Sequence, residues 1–261
     1  MKAGFFLSFV LMKNNLKVNW LSLNMKFWFL LLLLTSNCFC QELLIEDIDD
    51  LVGVDIYENI YYLQNGNLHK SNINNDYLNI KYGTPDLVDI SNPLQILILY
   101  KLFNKVVCLD NQLSYITEFE VPFGTEFICN AGQDKIWLYE NINMMLKLYN
   151  FKTKKTEINS IPIQQNILKM RGNLNEAILL DDQGQLIRYN YLARPKNIQY
   201  LNQKQIPLSL TPQYYLKEGS LYLRKNKILS SLKGLNQFEV VNNHLYFFKE
   251  NNIYRFSIPK N

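Results

Sequence analysis

The residues able to do chemistry are few and far apart. The 261-residue chain has two histidines, His69 and His244, and neither is accompanied by a Gly-x-Ser-x-Gly turn. A Ser/His/Asp or Cys/His site needs a nucleophile within hydrogen-bond reach of the imidazole, so both histidines read as structural or surface residues. Closure of a ring of repeats could still bring them together. Carboxylates can cleave glycosides unaided, with a raised-pKa acid facing a second carboxylate across the sugar, but sequence does not place two residues across a channel. The run Glu46-Asp47-Ile48-Asp49-Asp50 offers oxygen ligands to a hard cation, yet lacks the spaced ligands, Gly and terminal Glu of a calcium loop. It reads as a solvated acidic segment, and Asp181-Asp182-Gln183-Gly184 reads as a turn. No His-Glu-x-x-His, paired Cys-x-x-Cys or Gly-x-x-x-x-Gly-Lys-Ser/Thr pattern occurs, so no metal or cofactor is expected.

Downstream of residue 40 the only thiols are Cys108 and Cys129, each flanked by apolar residues. Two readings stay open: a pair of buried free thiols, or a disulfide between adjacent strands. The candidate interaction surface is the loop carrying Tyr100, Lys101, Phe103 and Lys105, because exposed aromatics beside cations often anchor interfaces. The competing reading puts Phe103 in the core, with the lysines keeping the loop wet.

These residues must be positioned by strands. Aromatic and β-branched residues abound while Ala occurs four times, which argues against a helical bundle. A hydrophobic share of 48% excludes disorder, and 10 Gly with 8 Pro exclude a collagen-like or linker chain. From about residue 52 one pattern recurs: an apolar run, a short polar turn, then an alternating run. The markers Tyr62, Leu109, Leu138, Leu179, Tyr222 and Tyr246 span 184 residues in five intervals, about 37 each. That is near the roughly 40 residues of a four-stranded propeller blade. Runs such as Ile96-Leu97-Ile98-Leu99 suit strands buried on both faces. The expected fold is all-β, a single β-propeller of about six blades (five to seven) over residues 41–261. The last interval is short, which a blade that has lost strands would explain, as would closure of the ring by residues just after 40. An irregular sandwich or barrel is the alternative architecture.

Residues 1–40 read as a targeting segment. Met25-Lys26 precedes the apolar run Phe27 to Leu34, followed by small residues and a favoured cut between Cys40 and Gln41, so Met25 is the expected true start. A spanning helix is disfavoured, because about 20 apolar residues would be needed. Acylation of Cys38 or Cys40 is the alternative, and a lipid anchor is then the only membrane attachment expected. All four cations of this segment (Lys2, Lys13, Lys17, Lys26) face no acid, so the +4 total charge leaves residues 41–261 neutral. That neutrality hides two halves: 6 Lys/Arg against 16 Asp/Glu in 41–150, and 17 against 7 in 151–261. Opposed fields of this kind orient encounters with charged partners. Nucleic acid is not an expected partner, for want of a binding motif and in view of the export signal.

The stretch Val88-Asp89-Ile90-Ser91-Asn92-Pro93-Leu94-Gln95-Ile96-Leu97, running on through Tyr100 to Lys105 and Leu109-Asp110-Asn111, resembles small, uncharacterised, exported β-propeller proteins of Gram-negative Bacteroidota. The likeness covers most of residues 45–258, with the region from Leu221 to Gly234 shortened. It implies fold and compartment, periplasm or outer envelope, and supplies no catalytic motif. The expected function is therefore a non-catalytic protein-interaction or scaffold module of the cell envelope. A carbohydrate-active or other hydrolytic propeller with paired carboxylates is the alternative.

Overall fold

Strands with apolar side chains at consecutive positions must be covered on both faces, and in this protein apolar clusters join blades 1 to 2, 2 to 3, 3 to 4, 5 to 6 and 6 to 1, numbered in chain order below. The computed structural model describes residues 41–132, 134–200, 214–217, 219–223, 226–229, 235 and 237–258. The expected targeting segment lies outside the described residues. Six antiparallel sheets follow one another in chain order, five of four strands and one of three among the described residues.

Blade 1 comprises Asp50–Val54, Ile60–Gln64, Asn67–Lys70 and Asp76–Tyr77; blade 2 comprises Leu87–Asp89, Ile96–Tyr100, Lys105–Leu109 and Tyr115–Glu120. Blade 3 is Thr125–Asn130, Lys135–Glu140, Met145–Asn150 and Lys155–Asn159, and blade 4 is Ile167–Gly172, Glu176–Asp181, Gln185–Asn190 and Pro195–Tyr200. Blade 5 has Tyr214–Lys217, Ser220–Leu223 and Asn226–Leu229. Blade 6 has Gln237–Val241, His244–Lys249 and Asn252–Ser257, and its fourth strand is Glu42–Ile45, from the other end of the chain. Of the two expected causes of the short last interval, closure of the ring by residues just after 40 is the one observed among the described residues.

Alternation along each strand sends side chains to opposite neighbours. Ile96 and Ile98 enter the cluster shared with blade 1, while Leu97 and Leu99 enter the cluster shared with blade 3, all four with no exposed surface. Ile136 and Leu138 likewise face blade 2, and Trp137 and Tyr139 face blade 4. Further clusters join blade 5 to blade 6 through Leu221 and Phe238, and blade 6 to blade 1 through Tyr246, Phe248 and Leu51.

The same alternation decides between the two readings of the cysteines. Cys108 packs between blades 2 and 3, whereas Cys129 packs between blades 3 and 4, on the far side of its own sheet. Both thiols are free, so the bridge is not formed. Burial pushes both up from their ordinary range, Cys129 well above it, as expected of unreactive core thiols.

Turns are held by short polar side chains. Asp181 Oδ1 accepts hydrogen bonds from the N–H groups of Gln183 (3.0 Å) and Gln185 (2.7 Å), with Gly184 at φ +78°. Asp110 makes the same contacts to Gln112 and Ser114, and Asn190 to Leu192 and Arg194.

Candidate functional site

Two surfaces deserve description as sites: the axial cavity bounded by the inner strands, and the rim of loops around one of its mouths.

The cavity has a volume of about 470 Å³ and is lined by the first strands of blades 1, 2, 3, 4 and 6. Its ionisable side chains are Asp50, Asp86, Asp89, Lys169, Arg171 and Glu239. Glu239 is a brace rather than a free acid. Its Oε2 accepts the Val54 N–H of blade 1 at 2.8 Å, and its Oε1 accepts from Arg171 Nη2 of blade 4 at 3.0 Å, so one carboxylate ties three blades together. Gly53 permits this approach, because a Cβ there would stand 3.1 Å from Ile90 Cδ1 and 3.2 Å from Glu239 Oε2. Asp89 is buried and fully engaged. It accepts from the Asn130 N–H (2.7 Å), the Ser91 N–H (3.2 Å) and the Ser91 hydroxyl (2.9 Å). Burial raises Asp89 despite these bonds, and burial also raises Asp50, opposed by the Leu51 N–H and by Lys169. Lys169 is lowered by burial, with Glu239 and Asp50 pulling the other way and Arg171 adding to the fall. The cavity therefore balances a desolvated lysine against two carboxylates. Among the described residues no group of His, Cys, Asp and Glu could hold a metal ion.

The histidines do not build a catalytic pair. His69 stacks on Tyr62 with ring centroids 5.2 Å apart. His244 places Nδ1 3.3 Å from the Glu58 carboxylate, which also accepts from the Tyr246 hydroxyl at 2.9 Å. Ring closure brings His244 of blade 6 to blade 1, as expected, but to a glutamate in a turn instead of to His69.

The rim is continuous from the blade 6 to blade 1 crossing to the blade 3 to blade 4 crossing. In blades 1 to 3 the second and third strands turn on the same side as the crossing from the fourth strand to the next blade, and hydrogen bonds or close packing join these segments end to end. Gln64 Nε2 donates to the Asp47 carbonyl at 2.9 Å, Gly66 N–H donates to Asp49 Oδ2 at 3.2 Å, and Gly66 lies against Thr84. Lys101 N–H donates to Asp86 Oδ2 at 2.8 Å and Val121 N–H to the Asn104 carbonyl at 3.0 Å. Asn141 N–H then reaches the Gly124 carbonyl at 2.9 Å and Ile163 N–H the Met144 carbonyl at 2.7 Å. Along this ridge the most exposed apolar side chains are Ile80 (92%), Leu102 (85%), Phe123 (74%), Ile142 (58%) and Ile161 (71%), with Leu78, Phe103 and Met144 exposed to a lesser degree. Single exposed apolar residues are ordinary, but a run along connected loops is not.

The expected interaction loop lies on this ridge, with its residues in different roles from those foreseen. Tyr100 is 1% exposed and belongs to the core between blades 1 and 2, because it completes the fully apolar second strand of its blade. Lys101, Leu102 and Phe103 form a single 3-10 turn, closed by Asn104 in the left-handed region at φ 50°. Phe103 is partly exposed and packs on Tyr82, centroids 5.0 Å apart; Lys101 is paired with Glu126 and Lys105 with Glu120. The most exposed apolar side chain of the loop is Leu102, an aliphatic residue and not the expected aromatic beside a cation. The signal that could have found it is its place at a hairpin tip, where a non-polar residue has nothing to pack against.

A ring of radially arranged four-stranded sheets around a polar cavity, closed by strand exchange between the two ends, defines a β-propeller. Solved structures agree. A streptogramin B lyase superposes with a TM-score of 0.53 at 9% identity, covering 84% of this chain and 97% of that one. The Neurospora crassa Pan2 WD40 domain superposes with a TM-score of 0.50 at 11% identity, covering 82% and 76%. PorZ of Porphyromonas gingivalis, described as an essential bacterial surface component of the type-IX secretion system, aligns with a TM-score of 0.44 at 14% identity over 84% of this chain and 34% of that chain. At these identities the likeness defines the fold alone. No protein-family model matches the sequence. No curated protein matches it either.

Proposed function

We propose that this propeller is a non-catalytic interaction module exported to the cell envelope, holding a protein partner on the rim of blades 1 to 3. The observation that carries this reading is the run of exposed apolar side chains on one hydrogen-bonded ridge. A propeller supports such a ridge well, since each loop hangs on a sheet whose faces are locked by its neighbours. Export rests on the leader-like residues 1–40 and on the resemblance to envelope propellers of Bacteroidota.

Photo-crosslinking in living cells tests the reading. A photoreactive residue at Phe123 or Ile142 is expected to give one discrete adduct with a second protein in the envelope fraction, and the same residue at Ile198, on the outer strand of blade 4, none. Absence of adducts from every ridge position would overturn it.

The hydrolytic alternative draws on the carboxylates that share the cavity, above all Asp50 with its raised value. It is the weaker reading, because Asp89 and Glu239 are already engaged by internal donors. Turnover of an aryl glycoside that disappears in Asp50→Asn would reverse this preference.

A further inference from the structure

We infer that the partner presents a basic amphipathic segment to the rim, its Lys/Arg end on the carboxylates of the blade 6 to blade 1 crossing and its apolar stretch running toward blade 3. This rests on the reading of the rim as a protein-binding surface and adds the chemistry of what it binds.

The ridge is polarised. At one end the crossing contributes Glu46, Asp47 and Asp49, all exposed, with exposed Asp86 at the next crossing, while Asp50 lines the cavity, where Lys169 offsets its charge. The cations near this end do little to offset them. Lys81 lies against the Tyr82 ring, 4.7 Å from its centroid, and pairs loosely with Glu118 at 3.9 Å. Lys101 is consumed by Glu126, and farther along Lys147 is consumed by Glu140. The crossing of Val121 to Gly124 and the turn of Asn141 to Met144 carry no charge at all, and there Phe123, Ile142 and then Ile161 stand exposed. Ile142 covers Gly124, whose added Cβ would lie 2.6 Å from Ile142 Cδ1, so the turn of blade 3 packs directly on the neighbouring crossing. A charged end continuous with an uncharged apolar end suits a ligand with the complementary order. Apolar burial would supply affinity, and the carboxylates register and encounter rate.

A membrane of anionic lipid is disfavoured by the sign of the charge, since the exposed carboxylates of Glu46, Asp47, Asp49 and Asp86 beside the apolar arc would be repelled by it. A second copy of this chain, through its own basic half, is the remaining occupant, and the test separates it.

The probe is a fluorescent peptide with a Lys-rich block followed by a Leu/Phe block, titrated against the full-length chain at about 0.02 M and about 0.3 M salt, a range over which exposed charges pass from weakly to strongly screened. A peptide with Glu replacing Lys is the control. The expected result is binding of the Lys peptide alone, weakened by salt. The triple variant Asp47→Asn, Asp49→Asn, Asp86→Asn should lose about tenfold at low salt and show a flatter salt dependence. Leu102→Ser with Phe123→Ser should weaken binding at both salts. Asp134→Asn with Glu157→Gln, which removes carboxylates away from the ridge, should leave it unchanged.

Equal binding of the Glu peptide, or no effect of the triple variant, would overturn the inference. So would concentration-dependent self-association abolished by the same substitutions, which would make a second copy the occupant. If crosslinks form on the ridge but map to an acidic segment of the partner, this inference fails while the interaction reading stands.

Discussion

The joint between blades 2 and 3 and the joint between blades 6 and 1 do the same job by different means. In the first, Leu97, Leu99, Val106, Cys108, Ile128, Ile136 and Leu138 meet with at most 1% exposure, and apolar packing dominates, with polar contacts at its edges from Asn130 to Asp89 and Gln95 and from Lys101 to Glu126. In the second, the apolar cluster around Tyr246 and Leu51 is framed by directional polar contacts. Gln237 Nε2 donates to the Leu51 carbonyl at 2.8 Å, Val54 N–H to Glu239 at 2.8 Å and Asn242 Nδ2 to the Ile56 carbonyl at 3.2 Å, while His244 Nδ1 lies 3.3 Å from the Glu58 carboxylate. The difference follows from connectivity. Blades 2 and 3 are joined by the short crossing after Glu120, whereas blade 6 is tethered to blade 1 only through its outer strand Glu42–Ile45, and its three inner strands arrive from residues 237–257 once the rest of the ring has formed. Inner strands that must find their register so far from the tether gain from contacts that specify register.

This contrast is broken most strongly by a cavity in the joint between blades 2 and 3. Leu99→Ala removes buried methyl groups that the surrounding strands cannot replace, and a loss of about 2–5 kcal/mol is expected. Urea unfolding followed by tryptophan fluorescence reads it directly, since Trp137 is buried in the next blade. A loss below 1 kcal/mol would mean that this joint is far more plastic than its burial implies.

Next in size is Glu239→Gln at the channel. The amide keeps one acceptor for two donors, so either Val54 N–H or Arg171 loses its partner, and its own NH2 group then faces a donor. About 1–2 kcal/mol should be lost, and Arg171→Met should cost no more than that in the Gln background, because the two changes break the same contact. Additive losses in the double variant would show that Glu239 does not brace blade 4 against blade 1.

The apolar joints were far easier to read in the sequence than the polar ones. Ile96 to Leu99 declare a doubly buried strand by composition alone, and the turn at Asp181 to Gly184 is legible because Asp and Gly are chemically suited to it. Even the closing strand was foreseeable as arithmetic, from the short interval between Tyr222 and Tyr246. Glu239, by contrast, lies 185 residues from Val54 and 68 from Arg171. Nothing local distinguishes it from a surface glutamate. Tyr100 misled for the opposite reason, since an aromatic next to Lys101 resembles an interface anchor unless strand phase is followed one residue further. Leu102 was missed because hairpin tips are assumed polar, and its exposure becomes meaningful only beside Phe123 and Ile142 from other loops.

The smallest expected effect is also the one that separates the two joints by pH. Burial pushes the Glu58 carboxyl up, but hydrogen bonds from Tyr246, Asn242 and His244 outweigh it and hold the group below its ordinary 4.5. The same contact works on Tyr246, whose hydroxyl is pushed up to about 12, by burial first and then by Glu58. The unfolded chain takes up its proton near 4.5 while the folded chain resists until lower pH. Glu58 therefore contributes its full share above about 4.5 and loses it as pH falls through its depressed value. Much of this turn is open to solvent, so the contribution is under about 1 kcal/mol. Thermal midpoints of the wild type and Glu58→Gln, taken between pH 3 and pH 6, should differ most at the neutral end and converge in acid. Leu99→Ala carries no titrating group and should run parallel to wild type over the same range. A Glu58→Gln difference that stays constant with pH would assign the blade 6 to blade 1 contact to shape instead of charge, and the two joints would then be alike in kind.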